Sequence, residues 1–146
     1  MQYFIYHGRW PNKFLLGIQS SNGGAYLLLN DKYEIILNIH NSNYAIFTDK
    51  SKNKKILSKG SKIPTDKYLY FSFEIVRHNK FLVKEKKKIL FKYKIEDDKF
   101  LSVKIHSEKD SENFWDYKEM KNQNINYSIH NIEKDCIIGM KHINII

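Results

Sequence analysis

The sequence predicts a mainly β protein, an antiparallel β-sandwich or an up-and-down β-barrel with about ten short strands and one short helix. Apolar residues occupy every second position through much of 67–107, which is typical of strands with one buried face. Short polar breaks separate these runs, as hairpin turns do. The Asn22-Gly23 pair is a strong hairpin signal near the start of the chain.

The length of 146 residues predicts a single domain, 1–146, that is large enough to bury a core without a metal ion or a disulfide. Cys136 is the only cysteine, which excludes an intramolecular disulfide and suits a reducing compartment. We find no signal-peptide pattern at the N-terminus and no apolar run of about 18 residues that could span a membrane. A cytoplasmic location is the expectation.

The first third of the chain predicts four or five strands joined by tight turns. After a first strand over 1–7 and an extended run over 13–19, a turn at Asn22-Gly23 pairs Ile18 with Leu27. The next turn, at 30–32, sets Leu27 against Ile35. The following inner face contains Tyr33, Ile35, Leu37, Ile39, Tyr44 and Ile46. A further short strand is expected around Ile56-Leu57, within the lysine-rich segment 49–64.

The central segment predicts a meander of three hairpin-linked runs with alternating faces. Its inner residues are Leu69, Phe71, Phe73, Ile75, Ile89, Phe91, Tyr93, Ile95, Leu101, Val103 and Ile105. A turn at 78–80 would pair Ile75 with Val83. A three-residue turn at 96–98 would pair Phe91 with Val103, because this register keeps the apolar residues on one face. The same register sets Lys88 opposite His106 and Lys94 opposite Phe100.

Residues 111–121 predict the one helix, because Phe114, Tyr117 and Met120 lie at helical spacing after Ser111, a candidate N-cap. Two final strands are expected over 127–132 and 136–146. The apolar end of the chain, at 143–146, should be built into the sheet, where the first strand is a candidate partner.

No catalytic, metal or cofactor motif is found. The six histidines have no spacing typical of metal ligands, one cysteine cannot form a thiolate zinc cluster, and Gly23-Gly24 lacks the context of a phosphate loop. We therefore expect no cofactor and no metal. His106, which lies close to Lys104, is the one histidine kept as an acid–base or phosphate-binding candidate.

The net charge of +9 is concentrated in the middle of the chain, since residues 50–95 contain fifteen basic and three acidic side chains. Such a region attracts acidic partners. The predicted binding residues lie in and beside it, on the outer face of the meander, where Tyr68 or Tyr70 could join them. They are Lys84, Lys86, Lys87, Lys88, Lys92, Lys94, Lys104, His106 and Phe100.

These features favour a non-enzymatic binding module that docks its lysine-rich sheet face onto an acidic protein, as an inhibitor or neutraliser does. The alternative is non-specific binding of nucleic acid or a nucleotide, since lysines beside aromatic rings suit single strands. An enzyme acting on a phosphorylated substrate is a weaker alternative, as is a carrier, whose cavity the large inner residues would fill. Only Arg9 and Arg77 are arginines, which argues against sequence-specific base recognition.

Overall fold

The computed structural model describes residues 3–5, 11–20, 24–39, 42–107, 113–119, 128–130, 136–138 and 144–145. These residues form β-strands joined by turns and loops, in agreement with the predicted mainly β class. The strands are β1 (Tyr3–Ile5), β2 (Lys13–Ser20), β3 (Ala25–Leu29), β4 (Tyr33–Leu37), β5 (Tyr44–Asp49), β6 (Lys54–Lys59), β7 (Leu69–Val76), β8 (Lys80–Glu85), β9 (Lys88–Lys94), β10 (Val103–Ser107), β11 (Asn113–Glu119), β12 (Ser128–His130), β13 (Cys136–Ile138) and β14 (Asn144–Ile145).

The described strands form two sheets. The larger sheet has the order β14-β12-β1-β10-β3-β4-β5-β6, and the smaller sheet has the order β13-β11-β2-β7-β8-β9. All neighbours are antiparallel except β12 with β14 and β11 with β13, which are parallel. The end of the chain joins the larger sheet, as expected, but β14 pairs with β12 rather than with β1.

Two antiparallel meanders, β3 to β6 and β7 to β9, follow the predicted hairpins. The turn at 30–32 sets Leu27 against Ile35 as predicted, and Asn30 and Asp31 adopt the left-handed conformation that these residue types tolerate. The predicted strand around 56–57 is β6. In the β7–β8 hairpin, Ile75 pairs with Phe81 rather than with Val83, a shift of two residues that preserves the buried face.

Two predicted hairpins are wrong, because the chain passes from one sheet to the other at these points. Strand β2 lies between β11 and β7 in the smaller sheet, whereas β3 lies in the larger one, so Ile18 pairs with Leu69 instead of Leu27. Strand β9 is likewise at the edge of the smaller sheet, whereas β10 pairs with β1 and β3. Phe91 therefore pairs with Val83 rather than with Val103.

The buried faces of the two sheets meet in one apolar core. Phe47 of the larger sheet is fully buried, and its ring lies 5.9 Å from Phe81, 5.9 Å from Phe91 and 4.9 Å from Tyr93, all in the smaller sheet, measured between ring centroids. Within the smaller sheet, Phe14 of β2 stacks on Phe73 of β7 at 5.3 Å, whereas the Phe47 contacts cross between the sheets. Contacts between large aromatic rings thus connect the sheets, consistent with the filled interior that the sequence predicts.

The predicted helix over 111–121 is wrong where the structure describes it, because residues 113–119 form strand β11. Asn113, Trp115 and Tyr117 are buried on one face, and the residues between them are not, which is the period of a strand. Strand β11 pairs with β2, and Phe114 lies opposite Gln19. The proposed N-cap Ser111 and Met120, the last of the apolar residues at helical spacing, lie outside the described residues.

In part of β5 and part of β9, the alternation of side chains is shifted by one residue, so the residues that face the core are not the predicted ones. In β5, Ala45 and Phe47 are buried, whereas Tyr44 is 42% exposed. In β9, the ladder shifts at Val83 and Lys84, so that Leu90 is an extra residue, as in a β-bulge. The bulge buries Leu90 and leaves Ile89 48% exposed.

The edge strands β6 and β9 are connected by polar contacts that close one side of the core. The buried Glu85 carboxylate accepts hydrogen bonds from the Ser61 amide at 2.8 Å and the Ser61 hydroxyl at 2.6 Å. The Lys88 ammonium donates to the Lys59 carbonyl at 2.5 Å. None of the described segments is a helix long and apolar enough to cross a membrane.

A candidate interface on the lysine-rich sheet face

The outward face of the smaller sheet gathers four of the predicted binding lysines. Strand pairing sets Lys84 opposite Ile89, Leu82 opposite Lys92, and Lys80 opposite Lys94. Because residues that pair directly project to the same side of a sheet, Lys80, Lys84, Lys92 and Lys94 form one surface. Lys86 joins them at the β8–β9 turn, next to Tyr70 and Ser72 of β7.

This surface, which we call the basic face, extends across five strands. Its lysines are Lys13, Lys80, Lys84, Lys86, Lys92, Lys94 and Lys118, and its carboxylates are Glu74 and Asp116. Lys13 lies 3.5 Å from Glu74, and Asp116 accepts a hydrogen bond from Tyr70. Within the described residues, the lysines of β8, β9 and their turn form no ion pair, so their charge is free to attract an anionic partner.

Lys13, Lys80 and Lys118 are members of the basic face that were not among the predicted binding residues. Lys80 pairs with Lys94 across the β8–β9 hairpin, and alternation along β8 would have placed it beside Lys84. Lys118 lies opposite Leu15 because 113–119 is a strand. Because this segment was predicted to be a helix, nothing in the sequence indicated that Lys118 would lie on this sheet.

Five predicted binding residues are not part of the basic face, and the predicted pairing of Lys88 with His106 and of Lys94 with Phe100 is wrong. Lys87 is exposed at the β8–β9 turn, and Lys88 binds the Lys59 carbonyl on the inward side of the edge. Phe100 is buried in the core, with its ring 5.1 Å from that of Phe14. Lys104 and His106 lie on the outward face of the larger sheet, because β10 belongs to that sheet.

On the larger sheet, Lys104 and His106 have partners of their own. The Lys104 ammonium lies 2.7 Å from the Asp31 carboxylate, and the His106 ring lies 4.5 Å from the ring of Tyr26, its neighbour across the ladder. No described group of three or more His, Cys, Asp or Glu side chains is arranged to hold a metal ion. The two residues therefore do not contribute to the basic face.

A groove of about 320 Å³ crosses one end of the basic face. We call it the tyrosine groove, and its lining residues are Leu15, Pro64, Lys67, Tyr68, Leu69, Tyr70, Ser72 and Lys86. Its lining combines apolar and aromatic side chains with two lysines, Lys67 and Lys86. The Tyr68 and Tyr70 ring centroids are 6.2 Å apart. Neither Lys67 nor Lys86 forms an ion pair with a described residue.

Tyr70 is held in place both by its hydroxyl and by its ring. Its hydroxyl donates a hydrogen bond to Asp116 at 2.5 Å, and the Lys118 ammonium lies 4.6 Å from its ring centroid, within cation–π distance. Burial, together with the hydrogen bond and the negative charge of Asp116, raises the pKa of the Tyr70 phenol well above its ordinary value. The pKa of Tyr68 is raised by burial and by the same carboxylate. Both phenols are therefore neutral at physiological pH.

Gly17 makes the position of the Tyr70 ring feasible. The two residues pair across β2 and β7, and a Cβ atom at position 17 would lie 2.6 Å from Cε1 of the tyrosine. This is far inside van der Waals contact, so the ring packs directly over the glycine backbone. A glycine in a strand interior often marks such a close approach.

Gly17→Ala is therefore expected to displace the Tyr70 ring, break its hydrogen bond to Asp116 and destabilise the protein by about 1–3 kcal/mol, the usual cost of overpacking. Urea denaturation measures the stability, and spectrophotometric titration measures the phenol pKa. Ala45→Gly, at a buried site away from the groove, is the control for a glycine–alanine exchange. An unchanged tyrosine titration in Gly17→Ala would contradict the assigned contact.

No protein-family model matches the chain, and a search of curated proteins returns no match. The geometry of the basic face is therefore the main indication of function. That geometry offers ammonium groups, apolar side chains and a tyrosine-lined groove for binding.

Proposed function

We propose that this protein is a non-enzymatic binding module, a β-sandwich whose basic face docks onto an acidic surface of another protein. The observation that carries the proposal is the concentration on the basic face of Lys80, Lys84, Lys86, Lys92 and Lys94, none of which forms an ion pair with a described residue. Mutual repulsion makes such a set unfavourable in the free protein, and a partner that supplies carboxylates relieves it. The role would be that of an inhibitor or neutraliser in the cytoplasm.

Apolar side chains among the lysines favour a protein as the partner. Ile89 is 48% exposed beside Lys84, and the half-buried Leu82 lies between Glu74 and Lys92. Protein interfaces combine an apolar centre with a polar rim, and exposed apolar side chains lose contact with water only when a partner covers them.

Nucleic acid is the second candidate, supported by the same free lysines. Sequence-tolerant binders add aromatic rings on which bases stack. The Tyr70 ring does not meet this requirement, because Lys118 lies over one face and the Gly17 backbone packs against the ring. The scarcity of arginine also removes the bidentate contacts that phosphates favour.

The test is a triple charge reversal, Lys84→Glu, Lys92→Glu and Lys94→Glu, on the basic face. Fluorescence anisotropy at low and physiological salt would measure binding to two labelled probes, poly-L-glutamate and a single-stranded oligonucleotide. We expect the unmodified protein to bind polyglutamate, and the variant to lose at least about tenfold in affinity because each reversal replaces attraction by repulsion.

The matched control reverses Lys54, Lys55 and Lys59, which are exposed on β6 and form no ion pair with a described residue. It changes the net charge equally but leaves the basic face intact, so it should retain most of the affinity. Equal losses in both triple variants would contradict the proposal, since binding would then follow total charge. Tighter binding of the oligonucleotide than of polyglutamate, with a steep salt dependence, would favour the second candidate.

A further inference from the structure

The tyrosine groove lies where the basic face meets an apolar depression. Leu15 and Pro64 supply saturated walls, and Tyr68 supplies an aromatic one. Lys67 and Lys86 place positive charge at the rim. Its volume of about 320 Å³ is at the lower limit for ligand pockets, so it can accept one ring-sized group.

We infer that the tyrosine groove is the anchor site for a single aromatic side chain carried by an acidic segment of the partner protein. This inference rests on the proposed function and adds the chemistry of the partner. An acidic segment is complementary to the lysine rim. An aromatic side chain fills the apolar walls, as anchor residues do at the centre of interfaces, where surrounding contacts exclude water.

The polar groups of the groove distinguish an aromatic side chain from a nucleotide. The Asp116 carboxylate accepts the hydrogen bond of the Tyr70 hydroxyl, so its negative charge lies at the Tyr70 end of the groove. After burial, this charge is a further cause of the raised pKa of both groove tyrosines. A phosphate would be repelled there, whereas an uncharged ring would not. Carboxylates beside the ring can reach Lys67 and Lys86 at the rim instead.

The experiment compares two labelled acidic peptides of equal charge, rich in Glu and Gly, one with a central Phe and one with Ala in its place. Fluorescence anisotropy measures each dissociation constant. We expect the Phe peptide to bind about tenfold more tightly, as hot-spot side chains do. In Tyr68→Ser, which removes an aromatic wall without changing charge, this preference should largely disappear.

Tyr44→Ser is the matched control, because Tyr44 is 42% exposed on the outward face of the larger sheet. It should retain the full preference for the Phe peptide, and thermal melts should show both variants folded. Equal binding of the two peptides to the unmodified protein would overturn the anchor site and leave the proposed function intact. If neither peptide binds, both the anchor site and the proposed function are contradicted. Displacement of the Phe peptide by adenosine monophosphate at lower concentration than by N-acetylphenylalanine amide would assign the groove to a nucleotide.

Discussion

Phe47→Ala is expected to lower the free energy of unfolding by about 3–5 kcal/mol, the largest effect of any single substitution considered. The ring is fully buried and is the point where the two sheets meet. Besides its contacts with the smaller sheet, it stacks on Tyr33 with centroids 6.1 Å apart. Its removal leaves a cavity lined by other rings, which are too large to move into the space without strain.

Urea denaturation of Phe47→Ala and Phe47→Leu measures this effect, and the leucine variant gives a value even if the alanine variant does not fold. Leu57→Ala is the control, because Leu57 is 63% exposed on the neighbouring strand β6. The control should change stability by at most about 0.5 kcal/mol, as surface substitutions usually do. Similar losses at the two positions would show that Phe47 does not join the sheets.

Alternation within a strand was readable from the sequence, since side-chain direction follows from local geometry alone. The odd residues Phe71, Phe73 and Ile75 are buried as predicted, and so are Tyr33 and Leu37. Register was predictable where a tight turn fixes it, as at Asn30-Asp31-Lys32. In these hairpins the apolar pattern and the turn chemistry specify the same pairing.

The division of strands between the two sheets was not readable. A strand of either sheet has one apolar face, so the pairing of Phe91 with Val103 satisfied the pattern as well as the true pairing with Val83. The same ambiguity affected β2 and β3. Which runs pair is decided by packing between distant parts of the chain, and this is absent from any local window.

Only part of the candidate site was predictable, because its members also depend on pairing between distant parts of the chain. Lys92 and Lys94 share a face because side chains alternate along β9, and the pairing of β8 with β9 places Lys84 on the same face. The bulge at Leu90 reverses the phase and turns Lys88 toward the inward side. A single extra residue leaves no clear signal in a run of lysines. The tyrosine groove was also hidden, since β2, β7 and the β8–β9 turn contribute to it from three parts of the chain.

Asp49→Ala is expected to destabilise the protein by about 3 kcal/mol. Each hydrogen bond to a charged group contributes about 1.5–3 kcal/mol, and part of the loss is offset because the variant no longer buries a charge. The Asp49 carboxylate is 2% exposed and accepts hydrogen bonds from the Ser51 amide at 3.0 Å, the Ser51 hydroxyl at 2.6 Å and the Tyr93 hydroxyl at 2.8 Å. Because Tyr93 belongs to the smaller sheet, the carboxylate stabilises the association of the sheets. Asp49→Asn keeps an acceptor and should lose less.

The lowered pKa of the Asp49 carboxylate should also make stability depend on pH in the acid range. Burial opposes ionisation of the group, but the hydrogen bonds from Ser51 and Tyr93 outweigh burial and lower its pKa below the ordinary value of 3.8. The unfolded chain then binds more protons than the folded protein between the two pKa values. The contribution of Asp49 is therefore complete above the ordinary pKa and is lost as pH falls through the folded value.

Alkaline pH acts on Tyr93, the partner of Asp49. Burial, followed by the hydrogen bond to the carboxylate and its charge, raises the pKa of Tyr93 to about 12 from 10.0. Burial and the charge of Asp97 raise the pKa of Tyr33 to about 12. For both tyrosines the pKa in the folded protein exceeds the pKa in the unfolded chain. The stability that the neutral phenols contribute is therefore complete below the unfolded pKa and is lost as pH rises toward 12.

Urea denaturation across an acid and an alkaline pH series tests the loss of stability at both ends of the pH range. The proteins compared are the unmodified protein, Asp49→Ala and the control Asp98→Ala, which removes an exposed carboxylate. We expect Asp49→Ala to flatten the acid limb and to lower the pKa of Tyr93 in a spectrophotometric titration, because the carboxylate no longer opposes formation of a tyrosinate. Tyr33 should keep its raised pKa, since burial is its largest cause. An acid limb that is equally steep in both alanine variants would show that the Asp49 hydrogen bonds do not bind the two sheets together.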